Sequence, residues 1–322
     1  MKLRMLLLSL IILVAASHTT GASELDRHRS GWISWNAPVV EGIRICCNWQ
    51  KGGCCGSCVL GGSHGMSMTD DDELPGGGTR EMLIVARLAD GVMQKVHVYD
   101  AGCPLDTRGT QVTHVANVSV EESLDYLMRQ IPNVPDESSV IAALAQHRSA
   151  NVPALLERLA GNAYVDDVRE DALFWLGNRG GERGFRFLRD FVRGNEKTSL
   201  RKKAVFALTQ SESEGAVPEL ISLARNHNSR EIRREAIFWL GQKAGEKAAN
   251  ELRRAVDEDP DDDVREHAVF AISQLPRERA VPLLIDLARN HKSPKVREKA
   301  IFWLVQTGDE RALAVIEEIL SK

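Results

Sequence analysis

Beyond residue 160 the apolar residues fall into helical stripes, and the stripes themselves return every 32 positions. Each copy opens on an aliphatic residue followed by arginine: Val168-Arg169, Leu200-Arg201, Ile232-Arg233, Val264-Arg265 and Val296-Arg297. Alanine holds the fifth position of each copy, at Ala172, Ala204, Ala236, Ala268 and Ala300. A constant period in this range predicts a solenoid of stacked units, none of which buries its apolar face alone. The stretches Ala216–His227 and Ala280–His291, one double period apart, predict a first helix in each unit, with the signature as the second. Ser229 and Ser293 stand where an N-cap belongs, and Pro294 suits a first helical position. One period before Leu176 lies Leu144, inside an apolar run from Val140, which predicts a degenerate first unit.

Nearer the N-terminus the pattern changes from helical to alternating. Gly31 to Val40, Met82 to Leu88 and Val92 to Tyr99 read as strands, and Asp90-Gly91 between the last two predicts a hairpin. Ser119 and Glu122 form a capping box ahead of a helix with Val120, Leu124, Leu127 and Ile131 on one face. Pro132 and Pro135 end that helix. The predicted organisation is a signal peptide over 1–23, a small cysteine-rich β unit ending in a helix over 24–131, and a solenoid over 136–322. The fold class is α+β, with an all-α C-terminal part of 32-residue helix pairs.

Lys2 and Arg4 precede an apolar run from Met5 to Ala16 and then small polar residues, the layout of a secretory signal. The run is shorter than the ~20 residues a membrane span needs, so an exported protein, periplasmic or extracellular, with no span after signal removal is expected. All six cysteines, Cys46, Cys47, Cys54, Cys55, Cys58 and Cys103, lie in the N-terminal third. In an oxidising compartment they predict disulfides whose connectivity the sequence leaves open. The alternative is a thiolate site for zinc built around Cys55 and Cys58, or a redox-handling unit. His64, Met66 and Met68 would suit copper, although a solvated glycine-rich loop is the better account of them. The run from Asp70 to Glu73 lacks the alternating ligand spacing of a calcium loop. Net charge is −4 with both signs interspersed, so no basic stripe points to nucleic acid. No cofactor is expected.

The alternation of an Ala-Val-Pro-x-Leu-Ile helix with an aliphatic-Arg-x-x-Ala-x-x-x-Leu helix resembles the short HEAT-like repeats, here in an exported bacterial setting. That resemblance implies a right-handed superhelix with the signature helices on its concave side. It also implies that the five signature arginines brace neighbouring units. Some HEAT-like proteins are pigment lyases and others act on DNA bases, so a lyase-type enzyme is an alternative. No nucleophile elbow, phosphate loop or His-Glu-x-x-His is present.

Advancing about 100° per residue from the signature aliphatic position, the sixth residue on falls almost opposite the core. It is phenylalanine in every unit: Phe174, Phe206, Phe238, Phe270 and Phe302. Four residues further stand the amides Asn178, Gln210, Gln242, Gln274 and Gln306. Stacked units would line these up as two columns suited to an extended peptide, the amides bonding its backbone and the rings bracketing its side chains. On this reading truncating Phe238 leaves the fold nearly intact. The column beside the rings alternates in size through Trp175, Ala207, Trp239, Ala271 and Trp303, as interdigitating layers do. The expected function is therefore a non-enzymatic scaffold that holds a protein or peptide partner.

Overall fold

The computed structural model describes residues 23–41, 43–46, 49–50, 53–54, 58–62, 65–68, 81–243 and 245–320. All of the predicted signal segment but Ser23 lies outside these residues, as do Cys47, Cys55 and His64. Among the described residues a short 3-10 turn (Glu24–Arg27) is followed by ten strands: β1 (Gly31–Pro38), β2 (Ile43–Cys46), β3 (Trp49–Gln50), β4 (Gly53–Cys54), β5 (Cys58–Val59), β6 (Gly65–Met68), β7 (Glu81–Ala89), β8 (Val92–Asp100), β9 (Leu105–Asp106) and β10 (Val112–His114). The main sheet has the order β10-β1-β7-β8, with β10 parallel to β1 and the other pairs antiparallel. The hairpin turns at Asp90 and Gly91, both with positive φ (54° and 82°), the mirror-image turn that an Asp-Gly pair tolerates.

Side chains alternate across this sheet. Ile33, Trp35, Met82, Ile84 and Ala86 face a helical layer, whereas Val85 and Tyr99 pack with Cys58 and Cys103 on the other side. The covering helices are α1 (Val120–Gln130) and α2 (Glu137–Ala145). Ser119 caps α1, its hydroxyl accepting from the Glu122 backbone N–H at 3.1 Å, and a short 3-10 turn over Ile131–Asn133 carries Pro132 beyond the helix end.

Five helix pairs follow: α3 (Val152–Leu159) with α4 (Asp166–Arg179), α5 (Gly181–Arg193) with α6 (Thr198–Gln210), α7 (Ala216–Asn226) with α8 (Arg230–Lys243), α9 (Gly245–Glu258) with α10 (Asp262–Ser273), and α11 (Arg277–Asn290) with α12 (Pro294–Thr307). A further helix, α13 (Glu310–Leu320), packs on the last pair. The signature falls on α4, α6, α8, α10 and α12, which stack side by side as one layer. Val168, Leu200, Ile232, Val264 and Val296 and the five alanines are buried in every unit. The predicted degenerate unit is α2, packed on α4 as each second helix packs on the next.

Sheet and solenoid share a core that runs without interruption from Trp35 through α1 and α2 to Ala312. At their joint the Trp35 indole N–H donates to the Ser123 hydroxyl (2.8 Å), which donates in turn to His147 Nε2 (2.8 Å). His147 Nδ1 gives its proton to the Ala143 and Leu144 carbonyls at 2.9 and 3.2 Å. Burial pushes the imidazole pKa down to about 4, so this ring is neutral near pH 7. The end of β1 continues the joint through backbone bonds from Val40 N to Gln146 O and from Arg148 N to Pro38 O, both 2.9 Å.

Candidate functional site

The exposed side of the second-helix layer carries the predicted columns. The arginines beneath it are bracing groups. Each turns to the end of the first helix in its own unit, where carbonyls have no helical partner. Arg169 donates to Ala160 O (3.0 Å), Arg201 to Val192 O (2.7 Å), Arg233 to His227 O (3.0 Å), Arg265 to Asp259 O (2.5 Å) and Arg297 to His291 O (2.8 Å). Three of them also reach one unit further: Arg169 to Glu196 (2.6 Å), Arg201 to His227 (2.8 Å) and Arg233 to Asp259 through both Nε (2.8 Å) and Nη2 (3.0 Å).

The phenylalanines differ from the expectation. Only Phe302 stands well exposed, at 52%; Phe174, Phe206, Phe238 and Phe270 are half-buried. A helix in a stacked layer has neighbours on both sides, so the direction opposite its own core points partly at the next helix. Phe174 stacks on Phe206 (centroids 6.2 Å apart) and Phe238 on Phe270 (6.1 Å). Phe206 then meets Trp239 at 4.6 Å and Phe270 meets Trp303 at 5.0 Å. Phe238 also lies 6.3 Å from the His267 ring. The rings form a packed aromatic ladder, and truncating Phe238 removes stacking that the helical wheel did not anticipate.

The amides divide by unit. Asn178 donates to the Phe174 carbonyl (2.9 Å), Gln210 to the Thr209 hydroxyl (2.9 Å) and Gln274 to the Ser273 hydroxyl (3.0 Å). Gln242, Gln274 and Gln306 are exposed, while Asn178 and Gln210 are half-buried. Charges along the layer pair with one another across units, with Lys203–Glu170 at 2.8 Å, Lys202–Glu235 at 3.0 Å and Lys299–Glu266 at 3.5 Å. The resulting surface is close to neutral and rich in amides. Lys202, Glu231, Arg234, Glu235 and His267 line a small hollow of about 150 Å³ within it. Burial and then the charge of Arg234 hold the His267 pKa below the usual imidazole range.

In the N-terminal unit, Cys58 and Cys103 are buried and each lies in a disulfide. The side chains of Cys46, Cys54, Met66 and Met68 lie outside the described residues, so the thiolate and copper readings fall outside them too. Among the described residues no three His, Cys, Asp or Glu side chains cluster as a metal site would require, and no helix is long and apolar enough to cross a membrane.

The family model of the HEAT repeats matches residues 185–273 and 256–322. No curated protein matches the chain. Among solved structures the chain is similar to the complex of CpcE and CpcF of phycocyanin lyase from Nostoc sp. PCC7120, with 21% identity and a TM-score of 0.34 over 43% of this chain and 89% of that one. It is also similar to human deoxyhypusine hydroxylase in complex with glycerol, with 22% identity and a TM-score of 0.31 over 62% and 74%. YibA of Escherichia coli shares 19% identity and a TM-score of 0.39 over 63% and 79%. At these scores none of the three bears on activity. The repeat period, the stacked helix pairs and the matched model agree: residues 185–322 are HEAT repeats, and the match does not reach the N-terminal unit.

Proposed function

We propose that this protein is an exported binding scaffold, without a catalytic step of its own, that holds an extended peptide or a protein surface against its second-helix layer. The observation that carries the reading is the exposed run of Gln242, Gln274 and Gln306 beside a charge-paired surface. Amides spaced unit by unit suit a peptide backbone, whose donors and acceptors also recur at regular intervals. A neutral surface fits a partner of mixed sign. The partly covered rings next to the amides would supply apolar contact at little cost in ordering, since their neighbours already hold them. Export rests on the N-terminal segment, and an oxidising compartment accords with a disulfide framework among the six cysteines.

The test is affinity capture from the extracytoplasmic fraction with the full chain as bait, beside a Gln242→Ala/Gln274→Ala variant. Both amides are exposed, so the variant should keep its melting temperature and lose captured polypeptide by about tenfold, the scale of a hydrogen-bonding anchor. Equal capture by the variant sinks the assignment of the amide column. Phe238→Ala is the poorer probe because its ring is packed between units.

A further inference from the structure

A row of side-chain pairs crosses the second-helix layer at one register. The third residue of a signature meets the fourth of the next, 33 positions on, and the degenerate unit on α2 obeys the same spacing. Ser138 donates to Asp171, Glu170 pairs with Lys203, Lys202 with Glu235 and Glu266 with Lys299. One rung departs from this pattern. Between the third and fourth units the two places hold Arg234 and His267, a cation and an imidazole that its charge helps to keep neutral. No acid pairs with Arg234 among the described residues, and it is exposed.

The hollow of about 150 Å³ is the space at that rung, walled by Lys202, Glu231, Arg234, Glu235 and His267. Its two glutamates are already engaged. Glu235 holds Lys202 (3.0 Å) and accepts from the Trp239 indole N–H (2.8 Å), while Glu231 accepts from the Ser229 hydroxyl (2.8 Å) and Arg230 (3.1 Å). Arg234 is left as the unanswered charge of the hollow, and its sign is positive. The His267 ring lies 6.3 Å from that of Phe238 and 5.6 Å from that of Phe270, so its position on the wall is set by packing. A neutral imidazole still donates one N–H. On α8, Arg234 stands about two turns before Gln242, about 12 Å along the axis at 1.5 Å per residue, with Phe238 midway between them. A chain lying over the phenylalanine ladder would have the amides on one side and this hollow on the other.

We propose that an extended peptide on this layer places an aspartate or glutamate side chain in the hollow, its carboxylate on the Arg234 guanidinium and the His267 N–H. The inference rests on the reading of the layer as a peptide surface and adds a register to it. The acid lies opposite the third and fourth units, because the other rungs are closed by their own pairs. A basic side chain at the same place meets Arg234 and is rejected.

The experiment is selection of a displayed library of random peptides on the full protein, followed by calorimetric titration with a synthetic peptide of selected sequence. Selected peptides should share an Asp or Glu at one position, and changing it to its amide should weaken binding by about fivefold, the upper range for a partly open ion pair. Arg234→Gln alters an exposed residue and should keep the melting temperature. It should bind the acidic peptide about fivefold more weakly and no longer distinguish acid from amide. Histidine NMR gives an independent reading: removing the Arg234 charge should raise the His267 pKa, as should the acidic peptide in the unmodified protein. Peptides that need Gln242 and Gln274 but share no acidic position, an acid preference that persists in Arg234→Gln, or a His267 ring indifferent to Arg234 would each overturn the proposal and leave the peptide surface standing. Peptides that need Arg234 but neither amide would keep the acidic seat and overturn the amide column. Failure to select any peptide that depends on these three residues overturns both.

Discussion

The first and third units of the solenoid differ from the second and fourth at two neighbouring positions. Units one and three carry Trp175-Leu176-Gly177 and Trp239-Leu240-Gly241, whereas units two and four carry Ala207-Leu208-Thr209 and Ala271-Ile272-Ser273. Two kinds of interface result. From an odd unit to the next even one, glycine faces alanine, the helices approach closely and phenylalanines stack, Phe238 on Phe270 within 7° of parallel. From an even unit to the next odd one, an indole packs against phenylalanine, with ring planes inclined at 42° in both copies. The partner of the signature arginine alternates as well: Glu196 and Asp259 serve the odd units, while His227 serves the second and His291 holds the matching place in the fourth. The working period of this solenoid is 64 residues, two units with complementary surfaces.

The arginine partners offer the sharpest break of that comparison. Arg233 and Asp259 are both buried, so Arg233→Ala strands a carboxylate and should cost about 3–5 kcal/mol. Arg201→Ala removes a hydrogen bond to the Val192 carbonyl and a contact with His227 Nε2, whose partner nitrogen Nδ1 already accepts from Ser229 N, and about 1–2 kcal/mol is expected. Urea unfolding of the two variants measures the difference, and equal losses would mean the alternation is decorative.

Acid separates the joint from the units. His147 has a folded pKa of about 4 against 6.5 when unfolded, so the unfolded chain takes up the proton first as pH falls. Stability is therefore complete above pH ~6.5 and declines toward pH ~4, by about 3 kcal/mol from this group. Histidine NMR should find the His147 ring still neutral at pH 5; a ring protonated at that pH refutes the buried relay.

A smaller contrast tests the two kinds of glycine contact. A Cβ on Gly177 would collide with the carbonyl oxygen of Ala207 and stand 2.9 Å from its carbon, so Gly177→Ala should cost about 1–3 kcal/mol. At Gly241 the new methyl would stand 3.3 Å from the Ala271 oxygen. There the ~1 kcal/mol gain in helix propensity offsets the squeeze, and the variant should be near neutral. Matching melting temperatures for the two variants would refute a tighter first interface.

The smallest effect is expected at His227. Its Nδ1 accepts from Ser229 N at 3.0 Å, as Asp259 accepts from Asp261 N at 2.9 Å, so His227→Asp should keep the turn. Burial and then the Arg201 charge lower the His227 pKa, which makes the second unit lose stability as pH falls below ~6.5. His227→Asp supplies Arg201 with a carboxylate and should flatten the decline between pH 7 and 5. An unchanged pH profile would mean that His227 is not a weak point of the unit.

The 32-residue period was enough to place every second helix, its buried aliphatic residue and its bracing arginine, because those positions answer to helical geometry and to the unfilled carbonyls of a neighbouring helix. The hairpin at Asp90-Gly91 and the cap at Ser119 were equally legible, being local in the chain. Tertiary structure alone decided three things. It turned the phenylalanine column from an outward row into a half-buried ladder, since a wheel drawn for one helix contains no lateral neighbour. It joined the β unit to the solenoid through Trp35, Ser123 and His147, residues too far apart in sequence for any periodicity to link. It also left Arg179 without the carbonyls that Lys243, one double period on, reaches at the end of the preceding second helix, because β1 reshapes the loop after α2. Sequence fixes what each unit wants to bury, and only the packing of unit on unit determines which side chains remain available.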